Sequence, residues 1–337
     1  MEIALKEKKL AGINGLGRIG KLTLWYHLQS RYFEGAVINV GREVGTGLED
    51  VLHSLSNDST YGTIDRFMYG CSGKRCAITI TDRENGLIDI DGFQLKILRQ
   101  ERLPRNIGWA REGVRMVVDC TGKFLDPTLP ADDPKGSLAG HLEAGAQKVI
   151  ASAPFKIKNK NYRDNGESPT IIFGINHHLF DPHRHHIISA ASCTTTGLSH
   201  MIKPLLEDKE TMDILTASMS TVHAATNTQS VLDAVPSTGA TDLRKNRSVM
   251  NNIILSSTGA GKALEMVLPQ IANIGFMADS VRIPTSTVSL ISLNITFNSR
   301  LNAKGDPIIS GPYINELYRA ASRGSQSGLL HFSEQQN

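Results

Sequence analysis

The residues best suited to do chemistry are a cysteine and a histidine. Ala191-Ser192-Cys193-Thr194-Thr195-Thr196-Gly197 runs straight into Leu198-Ser199-His200-Met201-Ile202-Lys203-Pro204-Leu205-Leu206. Apolar residues at 198, 201, 202, 205 and 206 form the stripe of an amphipathic helix, so Cys193 is expected at or just before a helix N-terminus. Unpaired backbone N–H groups and the positive end of the helix dipole favour an anion there. A thiol so placed gains thiolate character and becomes a nucleophile at neutral pH. Isolated cysteines are more often small buried apolar residues; the flanking hydroxyls and the helix start set this one apart. Leu215, Ala217, Met219, Thr221 and His223 alternate along a strand and share one face. His223 is the candidate base, and it could hold Cys193 as an ion pair.

A thiol and a base suit the oxidation of an aldehyde. Hydride leaves a carbonyl carbon with difficulty, but thiolate addition makes a tetrahedral hemithioacetal whose C–H can deliver hydride to a nicotinamide. The base takes the hydroxyl proton, and the resulting thioester can be attacked by phosphate. That chemistry needs two anion sites. Thr226, Arg282, the Thr258-Gly259 turn, Ser192 and Thr194 offer hydroxyl, backbone and guanidinium groups for them.

The elements that must position these groups are legible in outline. Residues 10–20, LAGINGLGRIG, read as a short strand entering Gly15-x-Gly17-x-x-Gly20. A helix with Ile19, Leu22, Leu24, Trp25 and Leu28 as apolar positions follows. Strand, glycine turn and helix in that order is the context in which the motif binds a dinucleotide pyrophosphate. A second strand, 35–40, should end in a carboxylate for the ribose 2′-OH of NAD, yet reads Val40-Gly41-Arg42. Val40 neither accepts from the ribose nor repels a 2′-phosphate, and Arg42 could bind one, so use of NADP is expected. Antiparallel strands are expected over 76–99, buried strands over 114–120 and 148–154, and a helical stretch over 140–145. The polar segment 156–168 reads as an exposed loop with solvated lysines. The whole is expected to be α/β: a doubly wound Rossmann-type dinucleotide-binding domain over 1–188, then an α+β catalytic domain over 189–337. In the latter, 224–248 is a long polar loop, and 251–268 reads as helical after a Ser256–Gly259 interruption. Strands are expected over 274–283 and 287–297, and Leu317–Ala321 falls in a helix.

Ser-Cys-Thr-Thr followed by Thr221-Val222-His223, with the glycine motif upstream, resembles phosphorylating glyceraldehyde-3-phosphate dehydrogenase over nearly the whole chain, as a divergent bacterial-type member. The resemblance implies Cys193 as nucleophile, His223 as base, and Thr226 with Arg282 on the substrate phosphate. It places Ser192, Thr194, Thr258 and Gly259 on inorganic phosphate. For NAD or NADP it implies Asn14, Gly15, Gly17, Arg18, Ile19, Arg102, Thr121, Gly122 and Ser152, to which the strand-end reading adds Arg42. Arg244 and Arg247 would order the 224–248 loop at a subunit interface, and the assembly would be a homotetramer working in glycolysis in the cytoplasm. Thr196 replaces an asparagine, and Gly197 stands where a second cysteine is often found. The family's later strands and terminal helix have no counterpart before Asn337, so the chain reads as C-terminally truncated. Erythrose-4-phosphate dehydrogenase and a non-catalytic NAD(P)-binding homologue are the alternatives.

Composition excludes several other classes. A chain of 337 residues, 40% hydrophobic and 20% charged, has room for two sizeable cores. Its net charge of +3 is spread along the chain, so nucleic acid is not required, and a small anionic metabolite suits it. No apolar run approaches the roughly 18 residues that span a bilayer, and Met1–Lys9 lacks the apolar core of a signal peptide. Four cysteines give no disulfide framework; Cys71 and Cys76 would make only half a zinc site. The histidines at 177, 178, 183, 185 and 186 lack acidic or thiol partners at ligand spacing, so no metal is expected.

Overall fold

The computed structural model describes residues 9–159 and 161–335. Readings that fall on 1–8, Lys160, Gln336 and Asn337 lie outside the described residues. The chain divides into two compact units. One takes the described residues through Thr170 together with Phe180–Ala191, the other Ile171–Leu179 together with the described residues from Ser192 onward. The changeover thus falls after Ala191 rather than after 188, and a short upstream segment joins the second unit. Gly174 shows why: a Cβ there would meet Leu329 and His200, so the segment packs on the second unit's own residues.

The first unit holds an eight-stranded sheet in the order β10-β9-β8-β1-β2-β7-β6-β5, with a separate β3-β4 pair. The strands are β1 (Leu10–Asn14), β2 (Gly35–Asn39), β3 (Asn57–Asp58), β4 (Gly62–Thr63), β5 (Ile78–Asp82), β6 (Leu87–Ile90), β7 (Phe93–Leu98), β8 (Val114–Asp119), β9 (Lys148–Ala151) and β10 (Ile187–Ser189). The five strands around β1 and their neighbour β10 run parallel, whereas β5, β6 and β7 make antiparallel pairs at one edge. Alternation sends Ala11, Ile13, Ala36 and Ile38 to one core, and Leu10 and Val37 to another. Both faces of the central strands are therefore covered, as a doubly wound sheet requires. Sequence order reverses between β1 and β8, and their ends pair Asn14 with Asp119. A crevice at that point is where such sheets bind ligands.

Helix Arg18–Ser30 buries Leu24, Trp25 and Leu28 against the sheet, but Ile19 is 50% exposed rather than part of the apolar stripe. Gly15 takes φ +96, and a Cβ on Gly20 would lie 1.9 Å from the Gly15 carbonyl oxygen. Only glycine lets this helix start so close to the turn.

The second unit is α+β. Its four-stranded sheet runs β12-β13-β11-β14, where β11 is Ile214–Ala224, β12 Ile254–Ser256, β13 Gly275–Ile283 and β14 Ser289–Phe297. β11 pairs parallel with β13 and antiparallel with β14. Leu198, Ile202 and Leu205 of helix Cys193–Glu207 are buried, as the stripe demands. The helix expected over 251–268 is confined to Ala260–Val267; Ile254–Ser256 instead pairs with β13 as strand β12, so the stretch before the turn is part of the sheet. Ala217, Met219, Thr221 and His223 are buried, but Leu215 is 53% exposed, because a register shift between Ile214 and Thr216 turns it outward. Among the described residues no helix is long and apolar enough to cross a membrane.

Candidate active site

Cys193 is the first residue of helix Cys193–Glu207, and its side chain is exposed. Ser192 caps the helix: its backbone is extended, and its hydroxyl accepts from Thr195 N–H at 3.1 Å. The remaining first-turn amides, of Cys193 and Thr194, have no intrahelical acceptor and point their dipoles toward the thiol's end of the helix. Ala191, just ahead, takes φ 62, a left-handed value that costs a residue with a Cβ about 1–3 kcal/mol. The chain therefore enters the helix through a strained turn.

His223 reaches this point from β11. Its Nε2 lies 3.4 Å from Cys193 Sγ, within hydrogen-bond range for sulfur. The β11–β13 register sets His223 beside Arg282. The Nδ1 atom is 2.8 Å from the Ala224 carbonyl oxygen; Arg282 Nη1 donates to the same oxygen at 3.1 Å and also contacts Nδ1. Burial lowers the His223 pKa; the hydrogen bond to Ala224 opposes this, and the Arg282 charge adds to it. Arg282 is itself lowered by burial, against which a negative Cys193 would pull. Its Nε is buried without a partner. An exposed thiol, a base kept neutral at ordinary pH and a partly desolvated guanidinium thus meet within one cluster, which suits attack on a carbonyl attached to an anionic group.

Of the other residues expected on anions, Thr194 reaches the thiol, whereas Thr226 and Thr258 bond to their own neighbours. Thr226 is exposed, and its hydroxyl bonds to Thr228 and Gln229 at 2.9 and 3.0 Å. Thr258 Oγ1 accepts from Ala260 N–H at 3.2 Å, and Gly259 caps helix Ala260–Val267. Thr194 Oγ1 lies 3.9 Å from Cys193 Sγ. Arg244 pairs with Asp242 and Arg247 with Asp233, so each braces the 224–248 loop. No group of metal-ligating residues occurs among the described residues. Elsewhere, Cys76 lies beside Asp91 and Asp65, and burial with those charges pushes its thiol up to about 12.

In the first unit a cavity of about 1170 Å³ opens at the carboxyl ends of the parallel strands. Asn14, Gly15, Arg42, Arg102 and Thr121 line it; Gly17, Arg18, Ile19, Gly122 and Ser152 do not, although Gly17 caps and Arg18 begins the adjoining helix. Arg102 Nε donates to the Gly41 carbonyl at 3.1 Å, and Gly41 takes φ 70. Lys156 and Lys158 are exposed, as the solvated-loop reading expects, and also line the cavity. Their backbone N–H groups donate to Leu125 O (2.7 Å) and Asp126 Oδ2 (3.0 Å), which draws the loop onto the segment after β8.

Sequence reasoning missed the buried network beneath this cavity. Asn14 Nδ2 donates to Asp119 Oδ2 (2.8 Å), and Thr121 donates to Asp119 Oδ1 through N and Oγ1 (3.1 and 2.7 Å). Trp109 Nε1–H donates to His141 Nδ1 (2.9 Å), so His141 Nε2 carries the proton and donates to Asp119 at 3.1 Å. Asn39 Nδ2 donates to Asn14 Oδ1 and to Glu101 O, both at 2.9 Å. The one available signal was the polar residue closing each apolar strand, Asn14, Asn39 and Asp119.

Comparisons with known proteins match both parts of the chain. A family model described as the NAD binding domain of glyceraldehyde 3-phosphate dehydrogenase matches residues 10–127, and one for its C-terminal domain matches 192–337. The chain is 34% identical over 325 residues to the glyceraldehyde-3-phosphate dehydrogenase of Geobacillus stearothermophilus, covering 96% of this chain and 82% of that one.

The chain belongs to the glyceraldehyde-3-phosphate dehydrogenase family.

It is likewise 31% identical over 336 residues to the chloroplastic glyceraldehyde-3-phosphate dehydrogenase A of Chlamydomonas reinhardtii, covering 99% of this chain and 76% of the relative. It is therefore an NAD- or NADP-dependent oxidoreductase. The cavity fits such a group: Asn39 lines it, and its Oδ1 is buried with no partner, free to accept from a ribose hydroxyl or a base N–H.

Proposed function

We propose that the enzyme oxidises glyceraldehyde 3-phosphate and captures the acyl group on inorganic phosphate. The observation that carries this reading is the contact of Cys193, His223 and Arg282. Arg282 holds the substrate phosphate by charge-assisted hydrogen bonds, with Thr226 beside it. Cys193 Sγ attacks the aldehyde carbon, a C–S bond forms, and the carbonyl oxygen takes up the proton that the thiol has given to His223 Nε2, becoming the hydroxyl of a hemithioacetal. His223 Nε2 takes that hydroxyl proton as the carbon gives up hydride and the C=O re-forms as a thioester. The bound nicotinamide supplies the hydride acceptor. Inorganic phosphate, held by Ser192, Thr194, Thr258 and Gly259, then attacks the thioester carbon; the C–S bond breaks, Cys193 leaves as thiolate, and an acyl phosphate is released.

We further propose that Asn14, Gly15, Gly17, Arg18, Ile19, Thr121, Gly122 and Ser152 hold the cofactor, and that NADP is accepted through Arg42 and Arg102 where a carboxylate would exclude it. The working form is read as a cytoplasmic homotetramer of central carbon metabolism. Initial rates with glyceraldehyde 3-phosphate and erythrose 4-phosphate, with and without phosphate, test the reading. Turnover of glyceraldehyde 3-phosphate that depends on phosphate is expected. Phosphate-independent preference for the four-carbon aldehyde, or dinucleotide binding with no turnover of either, would refute it.

A further inference from the structure

We propose that Lys156 and Lys158 bind the adenosine 2′-phosphate of NADP from the β9 side of the cavity, so that two walls, and not the end of β2 alone, choose between NADP and NAD. The proposal rests on the reading that the enzyme accepts NADP. It adds to that reading two residues that lie outside both the glycine motif and the end of β2.

The cavity at the strand ends is cationic beyond what its surroundings need. Arg42, Arg102, Lys123, Lys135, Lys156 and Lys158 line it, with Asp126 and Asp133 as the lining carboxylates. That is an excess of four positive charges, where the whole chain carries +3. Among the described residues none of the six cations lies within ion-pair distance of a carboxylate. The two carboxylates are held by other donors. Asp126 Oδ1 accepts from Thr128 N–H (3.0 Å) and Oγ1–H (2.6 Å), and its Oδ2 accepts from Lys158 N–H (3.0 Å). Asp133 Oδ1 accepts from Lys135 N–H at 2.9 Å. A cleft lined by one sign of charge concentrates ligands of the other sign. The buried Asn39 Oδ1, an acceptor with no partner, lines the same cavity, so the ligand also brings a donor. NAD carries two negative charges on its pyrophosphate, and its oxidised ring offsets one of them. A phosphomonoester adds about −1.5 to −2 at neutral pH, so NADP meets the excess far better.

The cations come from both sides of β1. Arg42 and Arg102 follow β2 and β7 on one side; Lys123, Lys156 and Lys158 follow β8 and β9 on the other. Lys156 and Lys158 are set in place by their backbone. Lys156 N–H donates to Leu125 O at 2.7 Å, and Lys158 N–H donates to Asp126, which is 5% exposed. Both lysines line the cavity, whereas Ile157 between them does not, the alternation of a chain held along one edge. Because this backbone is fixed before any ligand arrives, binding costs side-chain freedom only. Neither ammonium has an ion-pair partner to give up. Arg102, by contrast, already spends its Nε on the Gly41 carbonyl. The two lysines are therefore the cations on the β9 side best prepared to take a phosphate.

The test is calorimetry of the enzyme with NAD, NADP and the isomer of NADP whose phosphate sits on the adenosine 3′-hydroxyl. Lys156→Gln with Lys158→Gln removes two charges at exposed positions; Lys156→Arg with Lys158→Arg keeps them. The Gln pair should weaken NADP about five- to thirtyfold, as two exposed charge contacts would, and NAD by less than about twofold. Raising salt should narrow that difference. The Arg pair should restore most of the NADP affinity, and the 3′-isomer should lose less than NADP does. Unchanged NADP affinity in the Gln pair, with a loss in Arg42→Gln, overturns the proposal and keeps NADP at the end of β2. Equal losses for NAD and NADP overturn it by placing the lysines on the part common to both. Equal losses for NADP and its 3′-isomer overturn it by reducing the lysines to a diffuse field. If the Gln pair fails to fold, the single variants decide, and unchanged NADP affinity in both overturns the proposal. An unmodified enzyme that binds NAD but not NADP overturns the reading of NADP use itself, and the proposal with it.

Discussion

Two buried histidines hold opposite positions in this molecule. His141 is fully buried in the first unit, and each ring nitrogen has a close partner of the right kind: Trp109 donates to Nδ1 and Nε2 donates to Asp119, with Asn14 Nδ2 farther from Nε2 at 3.5 Å. His223, 9% exposed in the second unit, has two incompatible partners on Nδ1 and a thiol on Nε2. A satisfied ring with one proton arrangement fixes Asn14 and Thr121 at the cavity through Asp119. An over-subscribed ring has two arrangements of similar geometry, which is what proton transfer needs. Burial alone does not mark a functional histidine; the count of partners against the ring's capacity does.

Removing the group that His223 serves should have the largest effect. Cys193→Ser is expected to lose nearly all turnover while still binding dinucleotide, since a hydroxyl is a far weaker nucleophile at neutral pH. A burst of reduced cofactor from that variant would show that another group reacts. His223→Asn should slow the reaction by about 10²- to 10⁴-fold and retard iodoacetamide at Cys193. Because only the neutral ring accepts a proton and its pKa is lowered, the acid limb of kcat/KM should lie below about pH 6.5.

The counterpart at the satisfied ring should act on stability instead. His141→Leu leaves the Trp109 indole N–H and a lone pair of Asp119 buried without a partner, at a cost of about 2–4 kcal/mol. Urea unfolding reads that loss, and the pH dependence of Cys193 alkylation should not move. If it does, the two histidines are coupled and the contrast fails. At the cavity wall, Val40→Asp with Arg42→Ala should strengthen NAD by roughly 1–3 kcal/mol, one or two hydrogen bonds, and weaken NADP. An unaltered ratio of the two cofactors would mean that Arg42 faces solvent.

The smallest expected effect lies one helical turn beyond the thiol. A Cβ on Gly197 would meet Ile291 Cδ1 at 3.5 Å, an ordinary contact, so the departure there leaves room for a side chain. Gly197→Ala should stabilise the fold by about 0.5–1 kcal/mol through helix propensity, with turnover unchanged. A loss of turnover would show that the glycine serves the reaction.

How much of this was legible in the sequence follows from how local each feature is. The start of the helix at Cys193 and the strand-glycine-helix of 10–30 were readable because periodicity, capping hydroxyls and glycine turns act within a few residues of chain. The open end of β2 at Val40-Gly41-Arg42 was readable for the same reason. Leu215 was misplaced because a bulge is set by the partner strand. Lys156 and Lys158 are exposed as expected, but that they line the cavity was not legible, because Asp126, 32 residues before Lys158, holds their loop.

The amino-acid sequence by itself determined a cysteine at a helix N-terminus, a strand–glycine–helix turn, and the α/β class of the fold. Tertiary structure alone decided the state of each histidine. Arg282 meets His223 across 59 residues of chain, through the parallel register of β11 and β13. Asn14 meets Asp119 across 105 residues, where two strand ends lie side by side in one sheet. The physical reason is that a register is chosen by burying the alternating apolar faces of whole strands. Which polar groups then face one another, and with how many partners, is a consequence of that choice.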